Sequence, residues 1–390
     1  MYPLLQGMRI LDLTRLLPGG YATQLLGDLG AEVLKVEDTS QGDYMRQLGV
    51  HFPDSEESAL YWGLNRNKKS IRLNLKSEAG KEIFFQLLQT YDVVMEGFRP
   101  GVMEKLGLGY EQLKQANPAV IMCSISGYGQ DGPYKQRAGH DINFTAIAGA
   151  LGQTGAAEGT PIIPAVQIAD IGGGGLMAAV GVLAASIARQ NTGQGQYVDV
   201  AMLDGVVSWM TMLFMQLAVN DPTAKRGKGW LNGGLPCYSV YETKDARYVS
   251  IGALEDKFWQ EFCRVVGRED LICQQFSPEA WVKSEVEVIF KAKTREEWQG
   301  IAAEHDLCLE PVLDLAEVKQ HPQVLARELF SPLTHHLAGE VDVVGIPLKY
   351  QVEQQRDSVP PGWGEHTREV LLGLGVTEAR IKELGQTGVI

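Results

Sequence analysis

The chain is short of the residues that most often advertise a site, and each shortage closes a line of interpretation. Cysteine is scarce: five in 390 residues, with no C-x-x-C spacing among them. An odd, scattered set excludes a disulfide framework and predicts free thiols in a reducing compartment. Histidine is also sparse, seven residues without metal-ligand spacing. The adjacent pair His335–His336 would point its side chains apart in a strand or a helix, so no metal centre is expected. Positive charge is in deficit, 35 Lys and Arg against 48 Asp and Glu, for a net charge of −13. That excludes nucleic acid or an anionic membrane as a general partner and leaves a local basic pocket open. Long apolar runs are missing too. The longest, residues 176–188, falls short of a bilayer span. The N-terminus MYPLLQGMRILDLTR lacks a basic stretch followed by an apolar core. No signal peptide is expected, and a cytoplasmic location is.

What is present suits a globular enzyme. Apolar residues make up 45% of the chain, enough for a substantial core and about two or three domains. MRILDLT reads as a strand, LLPGG as a break, YATQLLGDLG as a helix and AEVLKVE as a second strand. This β-α-β unit predicts parallel pairing. The segments KSIRLNL, GKEIFFQLLQTY, DVVMEGF and YEQLKQANPAVIMCSISGYG extend the alternation through roughly the first 200 residues. A long apolar helix follows YVDV, then a basic, glycine-rich loop, DPTAKRGKGWLNGGLP. A hairpin in CYSVYETKDARYVSIGAL, turning at Lys244–Asp245, opens a region of mixed character. The predicted organisation is a large α/β domain over residues 1–205 and a linker helix and loop over 206–229. A small α+β domain follows over 230–325, then a tail over 326–390 whose two short helices return to the first domain. There is no internal repeat.

The stretch QIADIGGGGLMAAVG, residues 167–181, poses the sharpest question. A phosphate loop of the G-x-x-x-x-G-K-[ST] type needs a lysine that is absent here. The dinucleotide pattern G-x-G-x-x-[GA] is met loosely by Gly173, Gly175 and Ala178. Its acidic partner would be Asp199, which lies in a strand-like segment of its own. On residue chemistry alone, Asp170 caps the helix that follows, an interaction worth about 1 kcal/mol. A second reading is chemical. Glycines at a helix start expose backbone N–H groups where the dipole favours negative charge, which suits an enolate, and a carboxylate beside it can move a proton.

Several segments together resemble the class III CoA-transferase (CaiB/BaiF-type) family, most closely its α-methylacyl-CoA racemase branch. The main matches are LLPGGYATQLLGDLGAEVLKVE (16–37), AGHDINF (138–144), ADIGGGG (169–175) and IGALEDKFW (251–259). Shorter ones are MEGFRPGVMEKLGLGYEQL (95–113), TGQGQYVDVAMLDG (192–205), LNGGLPCY (231–238) and GEHTREVL (364–371). The resemblance implies an α/β fold: a large Rossmann-like domain built from N- and C-terminal parts, with a smaller α+β domain. It also implies an interlocked homodimer, with the active site between the large domain of one chain and the small domain of the other. The implied substrate is an acyl-CoA, with coenzyme A part of the substrate and no further cofactor.

Two chemistries share the central aspartate of this family. In the transferase branch it is the nucleophile of an aspartyl–CoA thioester. In the racemase branch it works with a histidine to move a proton at the α-carbon. The resemblance implies the first or second role for Asp170, and the second for His140 of GHDIN. Inverting a stereocentre by deprotonation requires a base on one face and an acid on the other. Histidine exchanges protons near neutral pH. A carboxyl group that must sometimes be protonated needs a raised pKa, which burial supplies. The glycine run would then let the thioester carbonyl approach the helix start closely.

Glu255 matches the racemase pattern G-A-x-E-x-x-F, which implies that it orients His140 from the partner chain. Asp141 is a local cap or a functional group. For coenzyme A the resemblance points to Arg15, Leu73, Leu75, Lys76, Gly97, Phe98, Arg99 and Lys105. Many relatives carry Arg-Pro after KVE, where this chain has Asp38-Thr39, and Arg46 is the candidate substitute. WMTMLFMQ (209–216) is ordinary core or a greasy acyl surface. The expected function is a racemase or epimerase of 2-methylacyl-CoA thioesters. The alternatives are a class III CoA-transferase and a non-catalytic acyl-CoA-binding protein.

Overall fold

A computed structural model describes residues 1–390. Internal contacts divide the chain into two units. The first is Met1–Ala148, Val166–Ser208 and Leu325–Ile390; the second is Gly149–Ala165 and Trp209–Val324. Gly149–Ala165 therefore groups with the second unit, although it lies inside the segment expected to form the first domain. The segment expected as a linker is divided after Ser208.

The first unit is built on a six-stranded sheet: β1 (Arg9–Leu13), β2 (Glu32–Glu37), β3 (Lys68–Arg72), β4 (Val93–Glu96), β5 (Ile121–Ser126) and β6 (Tyr197–Ala201). The order is β3-β2-β1-β4-β5-β6 and every pairing is parallel. β4 and β5 are buried along their whole length, as strands covered on both faces must be. The order reverses between β1 and β4, which opens a crevice at the carboxyl ends of those strands. The helices Thr367–Gly373 and Glu378–Gln386 insert Leu371, Ile381 and Leu384 into the core that holds Leu11, Leu34 and Val94.

The helix that carries the apolar run starts earlier than its sequence suggests. It is π-helical over Ile168–Leu176 and continues as an α-helix over Met177–Thr192. At 25 residues it is long and apolar enough to cross a bilayer, which corrects the expectation of a run too short to do so. Half of its most apolar window is buried within the protein, and its glycines are wedged against neighbouring helices.

The second unit carries a three-stranded antiparallel sheet, β7 (Tyr238–Glu242), β8 (Tyr248–Gly252) and β9 (Leu309–Pro311). The hairpin turns where its sequence indicated, with Ala246 taking a left-handed φ of 56°. Behind the sheet, Tyr241, Phe262 and Phe290 stack with centroids 4.9 and 5.4 Å apart. Such aromatic pairs contribute about 0.5–1.5 kcal/mol beyond their area. WMTMLFMQ is not ordinary core: Trp209, Met212, Phe214 and Met215 are all exposed. A last hairpin, β10 (Phe330–His335) with β11 (Gly339–Val344), belongs to the first unit and was not foreseen.

Candidate active site

A cavity of about 590 Å³ opens at the crevice where the strand order reverses. Arg15 and Leu16 reach it from the end of β1, Gly97–Pro100 from the end of β4, and Ile125–Tyr128 from the end of β5. His140, Asn143 and Asp170 complete the wall. The turn after β1 is strained, because Leu16 holds a left-handed φ of 64°, at a cost of roughly 1–2 kcal/mol for a residue with a Cβ. A buried charge cluster holds it there. Leu16 N–H donates to Asp43 Oδ1 at 3.0 Å, and Asp43 pairs with Lys35 at 2.8 Å. Lys35 in turn donates to the carbonyl of Thr14 and lies 3.8 Å from Asp12.

Asp170 is the third residue of its helix, in the π-helical turn, a distortion that recurs at functional sites. It does not cap that helix, as the simplest reading of its position expected. The cap is Asp141. One carboxylate oxygen, Oδ1, accepts the backbone N–H of Ala169 at 2.6 Å and of Asp170 at 3.1 Å. Burial pushes the Asp170 carboxyl up to about 6, the nearby Asp141 charge adds to the rise, and His140 opposes it. His140 stands at the N-terminus of the helix Asp141–Ile147, its own N–H donating to Asn143 Oδ1 at 3.0 Å. Two consecutive residues, His140 and Asp141, thus present a side chain to the cavity and fasten the start of the helix that carries Asp170.

Three of the four glycines serve packing. A Cβ on Gly173 would meet the Met202 carbonyl at 2.5 Å, and one on Gly174 would meet Met202 Cγ at 2.8 Å. One on Gly175 would meet the Pro18 carbonyl at 2.9 Å. The clearance expected for a thioester goes instead to the helix Leu16–Asp28 and the helix that begins at Met202. The first amides of the glycine helix are likewise taken by Asp141 rather than left for an enolate oxygen.

Of the residues expected to bind coenzyme A, Arg15, Gly97, Phe98 and Arg99 line the cavity. Leu73, Leu75, Lys76 and Lys105 do not. Leu73 is core, Leu75 packs on that core, and Lys76 and Lys105 are exposed elsewhere. Arg15 is already engaged, paired to Asp38 Oδ2 at 2.5 Å and donating to the Tyr44 hydroxyl at 2.9 Å. Arg46 is no substitute for the missing arginine. Its guanidinium forks onto Glu37 at 2.8 and 2.7 Å, donates to the Pro361 carbonyl and lies 3.9 Å from the Tyr61 ring.

Sequence reasoning missed Lys135 and Arg137, which line the cavity beside Arg99 with no ion-pair partner. Their proximity to the matched AGHDINF segment was the available signal. It also missed Glu96, at the end of β4 and almost fully buried, whose Oε2 accepts Phe98 N–H at 2.7 Å. Burial raises this carboxyl to about 7, against hydrogen bonds from Ser124 and the Phe98 amide.

Two other groups are not part of the cavity lining. Glu255 is an exposed residue of the second unit, at the N-terminus of the helix Asp256–Val265. His335 and His336 do not point apart: their rings stack with centroids 4.7 Å apart, close to Glu57. His335 Nδ1 accepts the N–H groups of Leu337 and Ala338, which leaves the ring proton on Nε2, 2.7 Å from Glu57 Oε2. Nδ1 is thus committed within the protein, whereas the buried Nε2 makes no hydrogen bond, and the ligand atoms of Glu57, His335 and His336 all lie within 4.8 Å of one another, which the dispersed histidines of the sequence did not suggest.

Comparison with known proteins returns one family over nearly the whole chain. The model of CoA-transferase family III matches residues 5–367. Succinyl-CoA:glutarate CoA-transferase of Mus musculus is 34% identical, over 99% of this chain and 90% of that protein. Alpha-methylacyl-CoA racemase of Homo sapiens is 33% identical, over 99% and 97%. Among solved structures, a CAIB/BAIF family protein from Brucella suis superposes with a TM-score of 0.83 at 28% identity, covering 96% of this chain and 99% of that one.

Proposed function

The chain belongs to CoA-transferase family III, and from that premise we propose that it is a racemase or epimerase of 2-methylacyl-CoA thioesters, acting as a cytoplasmic homodimer. The observation that carries this reading is one cavity shared by His140 and by an Asp170 whose carboxyl titrates at about 6. A thioester acidifies its α-C–H bond, yet the enolate is high in energy, so base and acid must stand ready together. In one direction His140 takes the α-proton and the C–H electron pair passes into the thioester as an enolate. Protonated Asp170 then delivers a proton to the opposite face, inverting the centre. The reverse direction uses ionised Asp170 and protonated His140. No electron is gained or lost, so the balance asks for no redox partner, and coenzyme A enters as part of the substrate. Arg99, Lys135 and Arg137 suit its phosphates, a local basic wall in an acidic chain. Glu255 is assigned the orientation of His140 from the second copy.

A class III CoA-transferase is the second reading, because relatives of both activities match almost equally, at 34% and 33% identity. There Asp170 would have to be ionised to attack, which a carboxyl titrating at about 6 largely is above neutral pH. One experiment separates the two. Incubation of (R)- or (S)-2-methylacyl-CoA in deuterated water should give α-deuterium incorporation with loss of optical activity, and Asp170→Asn should abolish both. A hydroxylamine-trapped adduct on Asp170, a requirement for an acceptor acid and no α-deuterium would sink the racemase reading.

A further inference from the structure

We propose that Asp141 is a positioning residue that fixes the spacing of His140 and Asp170 by clamping the start of the Asp170 helix with a single carboxylate oxygen. The inference rests on the racemase reading for its catalytic meaning, but the clamp itself is a matter of geometry. Asp141 directly follows His140, so a short, stiff piece of backbone connects the imidazole to the clamp. Its Oδ1 takes the amides of both Ala169 and Asp170, residues 28 and 29 positions away. A bond to Asp170 N–H fixes the very residue whose side chain must face the imidazole. The N-cap residue itself, Gln167, makes no side-chain cap bond. The neighbouring glycines give that turn no Cβ to lock it, so the carboxylate supplies the restraint they cannot.

The same oxygen has an electrostatic consequence. Asp141 is a negative charge beside Asp170 and helps to keep its proton on. The titratable groups that act on Asp170 are Asp141 and His140. Tyr21 of the first helix lies against Gly175, and the cations Arg15, Arg99, Lys135 and Arg137 sit on the cavity wall. Asp204, on the helix that begins at Met202, acts on Asp199 instead. Asp141 therefore fixes the position of Asp170 and adds to the proton affinity that burial, the larger cause, gives it.

Two variants separate these effects. Asp141→Asn keeps an acceptor oxygen for the two amides and removes the charge. Asp141→Ala removes both. With Asp141→Asn, the Asp170 carboxyl, followed by carbon-13 NMR and assigned against Asp170→Asn, should titrate at lower pH than in the unmodified protein. The acid limb of kcat against pH should move with it. With Asp141→Ala, kcat for α-proton exchange should fall by about a hundredfold, the scale of a small misplacement of reacting groups, while KM for acyl-CoA changes far less. An unmoved Asp170 titration in Asp141→Asn would overturn the proposal, as would Asp141→Ala with kcat within about twofold of the parent. If Asp141→Ala does not fold, Asp141→Asn decides alone. If the unmodified protein exchanges no α-proton, the racemase reading falls, while the NMR titration still tests the effect of the Asp141 charge on Asp170.

Discussion

The two flanks of the crevice use charge in opposite ways. On the β1–β3 flank, Asp12, Lys35, Asp43 and Lys68 are all buried, and each has a partner. Lys68 donates to Asn65 Oδ1 at 2.8 Å and to the Gly20 carbonyl at 3.1 Å. On the flank formed by the loops after β4 and β5, Arg99, Lys135 and Arg137 are exposed and without an ion pair. Asp170 there has no counter-ion strong enough to offset its burial. Charges that maintain the fold are satisfied from within, whereas Arg99, Lys135 and Arg137 on the cavity wall have no ion-pair partner. The first flank holds the strained turn at Leu16, so it also shapes the wall that the second flank completes.

Asp43→Ala tests the paired flank and should have the largest effect. It leaves Lys35 buried without its nearest partner and removes the acceptor for Leu16 N–H. Breaking one side of a buried pair costs about 3–5 kcal/mol, so the urea midpoint should fall by the corresponding amount. A loss below about 1 kcal/mol would mean that the cluster is not what holds the turn.

Asp170→Asn tests the unpaired flank through stability. The folded carboxyl titrates at about 6, above the ordinary value of about 3.9. Burial therefore penalises the charged form, fully above pH about 6 and not at all below about 4. The variant should be more stable than its parent by on the order of 2 kcal/mol at pH 8, and indistinguishable at pH 3.5. Thermal unfolding across pH measures the difference. A variant destabilised at pH 8 would show that Asp170 is a structural group.

The smallest effect should come from the exposed cations. Arg99→Ala and Lys135→Ala should each raise KM for acyl-CoA by about tenfold with kcat retained, an effect that shrinks with added salt. Values that do not respond to salt would show that these cations do not meet a charged ligand.

Much of the fold was legible because its signals are local. The strand-break-helix-strand rhythm of the first 37 residues needs only side-chain periodicity, and the hairpin turn at Lys244–Asp245 only turn chemistry. The hairpin Phe330–Val344 was missed because its turn, LAGE, lies beside a proline in β10 and a histidine pair that blurs the alternation. At the site, His140, Asp170, Arg15 and Arg99 were named and share the cavity. Lys76 and Lys105 were named on segment similarity and face elsewhere. Arg46 was named as the candidate substitute for the missing arginine, yet Glu37 captures it from nine residues away. The glycine run illustrates the limit: four glycines announce close approach, but not of what.

The sequence by itself determined the alternation of strands and helices and the acidic balance. These follow from short-range periodicity and residue chemistry. Only the tertiary structure decided that Asp141 rather than Asp170 caps the glycine helix, that the glycines accommodate Met202 and Pro18, and that Lys135 and Arg137 join Arg99. Those pairings span tens of residues, and parallel crossovers set their distances. A carboxylate becomes a cap, an ion-pair partner or a proton carrier according to which amides and charges the fold brings within about 3 Å.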